Sequence, residues 1–431
     1  MDLLVDRADL RHLRIDDAPA PALRPGQARL AIERFALTAN NVTYGAIGDL
    51  LGYWAAFPAP DGWGRVPVWG YARVVESAHD DLEVGRRVFG FLPMSTELVV
   101  DVDRAGPDGF TDAAPHRATL AATYNRYLTA RPDEGPGSAA EDRRALLYGL
   151  FVTSYLVVDF LDERGWFGAS TVVISSASSK TALGIARLAR AGGAVRVVGL
   201  TSPGNVGFVE GLAVCDEVLA YGAVGQLAVE PSAYVDVSGD GAVRAAIHER
   251  LGDELRHDMV LGGTHWEAMG GGEPLPGPTP TMFFAPSQIA ARAEQWGRAE
   301  LDRRMDEAWA GHAAWAAGWL HIEHRTGLDE VAARSAPSSR ARCPPPPGSS
   351  AHPMPAPERI APCTSASPSP TPDPSPNRRR PPRSPGPPRR RASSRSGPWS
   401  TSSCPRATSR RTPTTRPGRC LAASAPPSPI R

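Results

Sequence analysis

From residue 171 onward, short apolar stretches of strand length alternate with amphipathic stretches of helix length. The first unit is Thr171-Val-Val-Ile-Ser-Ser-Ala-Ser-Ser-Lys180, a strand and a polar turn, which apolar residues at helical spacing extend to residue 190. Further strands are predicted at 195–200, 217–220, 233–237 and from 259, with helices at 206–214 and 242–251. This alternation indicates a doubly wound parallel sheet, because each parallel connection needs a crossover.

The first 120 residues have a different pattern, in which Gly and Pro separate short β-type segments. Residues 27–35 and 66–75 alternate apolar and polar positions, and residues 85–92 follow a turn as a further strand. A helix with an apolar body is predicted at 141–163, and residues 286–319 are predicted to be largely helical. The predicted fold class is therefore α/β, with a β-rich N-terminal domain followed by a doubly wound sheet.

The composition changes abruptly near residue 336. Residues 1–335 carry 30 basic and 44 acidic residues, whereas residues 336–431 carry 17 arginines against Glu358 and Asp373, and 26 of the 44 prolines. We predict a disordered tail over 336–431, since such a segment has too little apolar surface to bury. Two interpretations remain: a basic arm for nucleic acid or acidic partners, and a frameshift product of a G+C-rich gene. The abrupt change within an acidic, helix-like stretch favours the frameshift.

The first 335 residues lack the cysteine and histidine patterns and the long apolar runs that several classes of protein require. Cys215 is their only cysteine, so a disulfide framework and a multi-cysteine zinc site are excluded there, and the ten histidines of the chain show no metal-ligand spacing. We expect no metal, no membrane partner and no nucleic acid for this part. Residues 151–161 are apolar but too short to span a membrane, and no signal peptide is recognised, so the predicted location is cytoplasmic.

Lys180 is the only lysine among 47 basic residues, and it lies in the polar turn after the first strand of the predicted sheet. A compact ammonium suits a phosphate approached from a tight turn, and a helix N-terminus favours anions. We therefore predict a cofactor phosphate at this turn, held by its polar residues: Ser176, Ser178, Ser179, Lys180 and Thr181. The alternative is a surface lysine retained by chance.

The turn departs from both known glycine-rich phosphate motifs. A P-loop needs glycine at 174 and 179, where the chain has Ile174 and Ser179, and this disfavours a P-loop NTPase. A dinucleotide-binding turn also has glycines that are missing here. The dinucleotide interpretation is supported by context instead: a strand before the turn, a helix after it, and a second strand within about thirty residues.

The end of the second strand bears on which dinucleotide is bound. Folds that select NAD usually place Asp or Glu there for the ribose hydroxyls, whereas this chain has Gly199-Leu-Thr-Ser-Pro-Gly-Asn205. Thr201, Ser202 and Asn205 can donate hydrogen bonds to a 2′-phosphate, so the predicted cofactor is NADP(H). The turn contains no arginine, and a plain solvated turn is the alternative.

The chain resembles the zinc-free, quinone oxidoreductase-like medium-chain dehydrogenases/reductases. The resemblance is carried by the β-rich first domain, Gly149-Leu-Phe-Val-Thr-Ser-Tyr155, the strand–turn–helix at 171–190 and Tyr221 after the third strand. It is more closely similar to a bacterial family of unknown function related to them. Four segments within residues 1–334 carry that similarity: Ala39-Asn-Asn-Val-Thr-Tyr-Gly45, Gly199-Leu-Thr-Ser-Pro203, Gly263-Thr-His-Trp-Glu267 and Phe284-Ala-Pro-Ser-Gln288.

The resemblance implies a domain organisation and a set of site residues. It implies a GroES-like catalytic domain at 1–140, a Rossmann dinucleotide-binding domain at 141–290 and a helical return to the first domain at 291–335. It also implies a small-molecule substrate, and homodimers are common in this superfamily. The residues that it places at the site are Asn40, Asn41 and Tyr44 near the nicotinamide, and Thr153 and Tyr221 at the cofactor.

Each residue carried over also has a structural interpretation. Tyr44 is predicted to donate a hydrogen bond to developing oxyanion charge, and its alternative is a core tyrosine. Asn40 and Asn41 can equally shape a turn. His265 follows a predicted strand end, where doubly wound sheets bind ligands, so it is a candidate for the site. The alternative is a histidine that packs in the interior. Tyr124-Asn125 is a weaker candidate for the same cleft.

Three hypotheses about function follow. The first is an NADPH-dependent, zinc-free reductase that transfers hydride to a small carbonyl, enone or quinone. The second is a catalytically inactive, reductase-like protein that binds NADPH or another phosphorylated ligand, since no compelling acid–base pair is found. The third concerns this chain alone: a shortened return segment followed by the basic tail leaves it poorly folded.

Overall fold

The computed structural model describes residues 1–19, 21–261, 275–335 and 362–364. The predicted disordered tail, apart from residues 362–364, lies outside the described residues, and so does His265. The first layer of the fold is antiparallel. Its main strands are β3 (Gln27–Ala36), β5 (Pro67–Ser77), β6 (Arg87–Pro93), β7 (Glu97–Gly106), β8 (Gly109–Asp112) and β9 (Arg126–Thr129).

These six strands close into a barrel. They follow the order β3-β5-β6-β9-β8-β7, and β7 pairs again with β3 through Ala28 and Val100. Closure leaves no exposed sheet edge along these pairings, and the barrel interior is filled by buried apolar side chains such as Leu30, Val68 and Phe91. Three further strands, β1 (Asp2–Asp6), β2 (Leu13–Asp16) and β4 (Trp63–Gly64), form a small antiparallel sheet.

The second layer is a six-stranded parallel sheet. Its strands are β10 (Thr171–Ile174), β11 (Arg196–Thr201), β12 (Glu217–Ala220), β13 (Ser232–Asp236), β14 (Leu255–Val260) and β15 (Thr281–Met282). They lie in the order β12-β11-β10-β13-β14-β15, and all pairings are parallel. This is the doubly wound order, with its switch point between β10 and β13. The predicted fold class, a β-rich GroES-like domain plus a Rossmann sheet, is therefore confirmed.

Helices connect and cover the two layers. They are α1 (Ala39–Ala46), α2 (Ala139–Glu163), α3 (Lys180–Gly192), α4 (Val206–Gly211), α5 (Gly241–Leu251), α6 (Ala285–Trp296), α7 (Arg298–Ala316) and α8 (Leu328–Ser335). Leu328 and Val331 of α8 pack in the barrel core, so the chain returns to its first layer. Two short strands, β16 (Arg325–Thr326) and β17 (Pro362–Thr364), extend the barrel sheet beside β3.

Helix α2 is the one helix in the described part that is long and apolar enough to cross a membrane. Half of its most apolar stretch is buried inside the protein, and α2 packs against α3, α6 and α7. Ser154 of α2 donates to the carbonyl of Thr181 at 2.8 Å, so the two helices touch. The apolar composition of α2 is therefore that of a core helix.

Two element boundaries were predicted wrongly. Strand β14 begins at Leu255 and not at 259, because its middle carries His257 and Asp258, buried polar residues that conceal the apolar pattern. Helix α4 ends at Gly211 and not at 214, because Ala213 has a left-handed φ of 52° that a helix cannot continue through. The helical stretch predicted at 286–319 is two helices, separated at Gly297 with φ 82°.

Candidate functional site

A cavity of about 150 Å³ lies between the barrel and the carboxyl end of the parallel sheet. Helix α1 contributes Asn40 and Tyr44, α2 contributes Thr153, and Val260 comes from the end of β14. Ligands of doubly wound sheets bind at this edge. The remaining lining is largely apolar: Ile47, Leu50, Leu51, Met282, Phe283, Phe284, Ala285 and Pro286, with Thr43, Tyr53, Tyr124 and Leu261.

Tyr44 is a buried phenol in the wall of this cavity, with 8% of its surface exposed. Its hydroxyl accepts a hydrogen bond from the indole N–H of Trp69 at 3.4 Å, and its ring contacts that of Tyr53 at 4.7 Å between centroids. Burial, with a smaller contribution from Tyr53, raises the pKa of Tyr44 well above its usual range. The phenol therefore stays protonated at ordinary pH and retains its proton for donation.

Tyr53 and Tyr124 form a second phenol group in the same wall. Their hydroxyl oxygens lie 3.0 Å apart, and burial raises the pKa of both phenols. One hydroxyl donates to the other, and the second hydroxyl proton of the pair is not used in that bond. Tyr53 was not among the site residues predicted from the sequence, and Tyr124 was only a weaker candidate.

Arg117 fixes the segment that carries Tyr124. Its guanidinium is fully buried and donates to the carbonyl of Tyr124 at 2.7 Å and to the side-chain oxygen of Asn125 at 3.0 Å. A third bond goes to the carbonyl of Ala56 in the segment that carries Tyr53, at 3.2 Å. The side chain of Asn125 is thereby directed to Arg117, and Arg117 connects the two segments of the phenol pair.

The two adjacent asparagines of α1 differ in position. Asn40 lines the 150 Å³ cavity. Asn41 is buried, accepts from the N–H of Thr38 at 2.6 Å and donates to the carbonyl of Pro67 at 2.8 Å. Its amide therefore caps α1 and ties the helix to β5, and it borders a hollow of about 10 Å³ beside Tyr44.

The polar turn after β10 is held by hydrogen bonds within the protein. Ser176 has a left-handed φ of 51°, and its N–H donates to the hydroxyl of Tyr221 at 2.9 Å. Ser179 is the N-cap of α3 and accepts from the N–H of Ala182 at 3.3 Å. Lys180 is the first residue of α3 and is half-buried. The turn thus aims the N-terminus of a 13-residue helix at the carboxyl edge of the sheet.

The end of β11 contacts this turn through hydrogen bonds. The hydroxyl of Ser178 accepts from the hydroxyl of Thr201 and from the amide of Asn205, each at 3.1 Å. Ser202 is exposed in the same turn. Four predicted cofactor residues, Ser176, Ser178, Thr201 and Asn205, therefore lie in one hydrogen-bonded edge together with Tyr221.

Thr181 and Thr153 lie on the neighbouring helices. The carbonyl of Thr181 accepts from Ser154, which connects α3 to α2. The hydroxyl of Thr153 donates to the carbonyl of Gly149 at 3.2 Å within α2, while the residue faces the 150 Å³ cavity. Thr153 is thus the residue of α2 that joins the cavity of Tyr44.

A buried ionic network lies at the switch point and was not predicted from the sequence. Ser175 donates to Asp236 at 2.8 Å, and Asp236 pairs with Arg244 at 2.6 Å. Arg244 lies 3.1 Å from Asp258, whose carboxylate is hydrogen-bonded to the ring of His248 at 2.8 Å. The network ties the ends of β10 and β13 to α5. Within the described ranges, no group of three His, Cys, Asp or Glu side chains could hold a metal ion.

In fold, the chain is similar to the medium-chain reductases of the zinc-free, quinone oxidoreductase-like type. The family described as a protein of unknown function, DUF2855, matches residues 35–335, and the chain belongs to that family. Both parts of the resemblance drawn from the sequence are confirmed. A search of the curated proteins finds no match.

Solved structures share this fold at low sequence identity. CurA in complex with NADPH from Vibrio vulnificus has a TM-score of 0.50 and 14% identity, over 83% of this chain and 94% of that one. A protein described as an NADPH:quinone reductase from Bacillus thuringiensis has a TM-score of 0.50 and 11% identity, over 85% and 98%. TarJ of S. aureus in complex with NADPH has a TM-score of 0.51 and 8% identity, over 85% and 99%.

Proposed function

We propose that this protein is an NADPH-dependent reductase that transfers hydride to a small carbonyl, enone or quinone. The observation that carries the proposal is the position of Tyr44, a buried, protonated phenol in a cavity between the barrel and the carboxyl edge of the Rossmann sheet. The fold supports the same class, and two neighbours that share it were solved with NADPH.

The residues at the carboxyl edge fit a phosphorylated dinucleotide. Lys180 and the N-terminal N–H groups of α3 supply positive charge for a pyrophosphate. The exposed hydroxyl of Ser202 and the second amide N–H of exposed Asn205 supply donors for a 2′-phosphate, and residues 199–205 contain no carboxylate that would repel it. Thr201, predicted as a third donor, is buried and already donates its one hydroxyl proton to Ser178. Ser176 adopts a left-handed φ, a conformation usual for glycine, which supports a tight turn here without glycine.

The cavity residues then act on the substrate. Bound NADPH supplies the hydride, and the protein's part is to bind, orient and polarise. Tyr44 donates a hydrogen bond to the substrate oxygen, where negative charge develops, and Asn40 lies beside it. The Tyr53–Tyr124 pair supplies a second hydroxyl proton at the same wall. Apolar residues such as Leu51 and Phe283 exclude water.

Cofactor affinity tests this proposal through Lys180. We expect wild-type protein to bind NADPH more tightly than NADH, and Lys180→Ala to lose about 1–3 kcal/mol of NADPH affinity, as for a charge-assisted contact. Fluorescence titration measures both. Arg190→Ala is the control, since Arg190 lies at the far end of α3 and pairs with Asp216. A folded wild-type protein that binds neither dinucleotide would falsify the proposal.

A second candidate function is a reductase-like protein that binds NADPH without turnover. It is favoured by the cavity lining, in which the described residues include tyrosines but no carboxylate, histidine or lysine. Steady oxidation of NADPH across a panel of quinones and enones would rule it out. A cytoplasmic location, a homodimer and a frameshifted tail remain proposals alongside either function.

A further inference from the structure

A second, larger cavity of about 520 Å³ lies between the barrel, α2 and α7. Its floor contains three aromatic rings, those of Trp69, Phe89 and Tyr148. Trp69 and Phe89 stack at 5.6 Å with an interplanar angle of 19°. Phe89 is only 1% exposed, between Trp69 and Arg144. The apolar surface open to an organic ligand is therefore that of Trp69 and of aliphatic side chains such as Leu128 and Val152.

Guanidinium groups surround this floor. Arg144 is 2% exposed and lies over the rings of Phe89 and Tyr148, at 4.6 and 4.8 Å from their centroids. It donates to both carboxylate oxygens of Glu134, yet its buried Nε has no hydrogen-bond partner within the described part of the chain. Such an unpartnered donor costs stability unless a ligand or water meets it.

The rim of the cavity carries a further guanidinium with unused capacity. Arg126 reaches Asp302 at only 3.5 Å, a long contact. Asp302 already accepts from Arg298 through both oxygens, at 3.0 Å each. Arg126 is 30% exposed, so its remaining N–H donors are available to an anion from the cavity side. Arg131 is also on the rim and pairs with Asp306.

The larger cavity adjoins the cavity of Tyr44. Thr123 and Val152 line the larger one, and the next residues along the chain, Tyr124 and Thr153, line the smaller one. Trp69 lines the larger cavity and donates from its indole to the hydroxyl of Tyr44. The described parts of the two linings have no residue in common, so a substrate that meets Tyr44 and spans both cavities has to pass beside Trp69 to reach Arg126.

We propose that the larger cavity binds the distal part of the substrate, an aromatic or alkyl body that ends in a carboxylate. The body lies against Trp69, Leu128 and Val152, and Arg126 binds the carboxylate, with Arg298 beside it. This inference rests on the proposed function for the reaction itself. It adds the substrate class: organic acids are preferred over their neutral analogues.

Calorimetric titration with two probes of equal shape tests the inference. 4-Phenylbutyrate and 4-phenylbutyramide differ in charge at one end. Neither contains an enone or a quinone, so the titration measures binding without reduction. We expect full-length wild-type protein to bind the acid at least about tenfold more tightly than the amide, as for a charge-assisted hydrogen bond. Arg126→Gln should bring the two affinities within about twofold. Arg303→Gln, on the same helix as Arg298 but outside the lining, should change neither.

A variant that binds the acid more tightly provides a control for misfolding, because a misfolded protein would lose affinity. Asp302→Asn removes the carboxylate that competes for Arg126, so it should tighten binding of the acid and leave the amide unchanged. Equal affinity of wild-type protein for acid and amide would overturn the inference, and so would a preference that survives Arg126→Gln. If the protein discriminates the two probes but does not bind NADPH in a separate titration, the proposed function fails and the anion site stands.

Discussion

His312 is a buried histidine whose charge state is tied to its packing. It is 2% exposed and its ring lies 5.1 Å from that of Phe151 and 5.4 Å from that of Trp315. Burial, with a smaller contribution from Arg187, lowers the pKa of His312 from 6.5 to about 4. The folded protein therefore holds a neutral imidazole where the unfolded chain would take up a proton below about pH 6.5.

This difference predicts a pH-dependent stability. Because the unfolded state binds the proton more readily, the contribution of His312 to the free energy of unfolding is complete above about pH 6.5. This contribution falls by roughly 3 kcal/mol as the pH drops toward 4. His312→Gln should flatten that dependence, since glutamine does not titrate. Urea unfolding between pH 7 and pH 4 measures it, with exposed His321→Gln as the control. A wild-type stability that is level across this window would contradict the burial of a neutral His312.

Among the elements, α2 and α3 make the closest helix contact at the site. Gly184 of α3 faces Ser154 of α2, and a Cβ at position 184 would lie 2.5 Å from the Ser154 hydroxyl oxygen. That hydroxyl is held by carbonyls on both helices, at Leu150 and Thr181. The contact sets where the N-terminus of α3, with Lys180, stands relative to Thr153 and the cavity.

A single methyl group should therefore separate these helices. We expect Gly184→Ala to lower the free energy of unfolding by about 1–3 kcal/mol through overpacking, despite the better helix propensity of alanine. Gly192→Ala, on the same helix with no atom within 4 Å of the added Cβ, should be neutral or slightly stabilising. Chemical denaturation of both variants tests the contact. Equal stability of the two would show that α2 and α3 pack less closely than described.

At the scale of the whole molecule, the site lies where the barrel, formed by the first part of the chain, meets the parallel sheet that begins at residue 171. The barrel supplies Tyr44, Tyr53 and Tyr124, and the Rossmann sheet supplies the polar edge around Ser178. Barrel and helices are joined by buried ion pairs, among them Arg87 with Glu141 and Arg34 with Asp142. Function in the proposed sense requires both layers, because neither contains donors for substrate and cofactor together.

How far the sequence predicts this site depends on what brings its residues together. Ser178, Thr201 and Asn205 meet because neighbouring parallel strands end at the same edge, a consequence of topology that periodicity reveals. Tyr53 and Tyr124 are 71 residues apart and meet through barrel closure, which no local pattern encodes.

Buried charges were harder still to anticipate. Asp236 and Asp258 are fully buried in strands, where an acidic residue in a sequence looks like a strand end or a loop. Asn41 shows the opposite difficulty: the sequence left a catalytic and a structural role open, and only the observed bonds to Thr38 and Pro67 favour the structural one.

Transfer of deuterium from the nicotinamide carbon of labelled NADPH to an enone or quinone tests the central claim most directly. We predict labelled product with wild-type protein, and a rate lower by on the order of 10²-fold with Tyr44→Phe, because one donor to the developing oxyanion is removed. NADPH affinity should be unchanged in that variant. Bound NADPH with no transfer to any member of a broad substrate panel would contradict the account and leave a binding protein with a reductase fold.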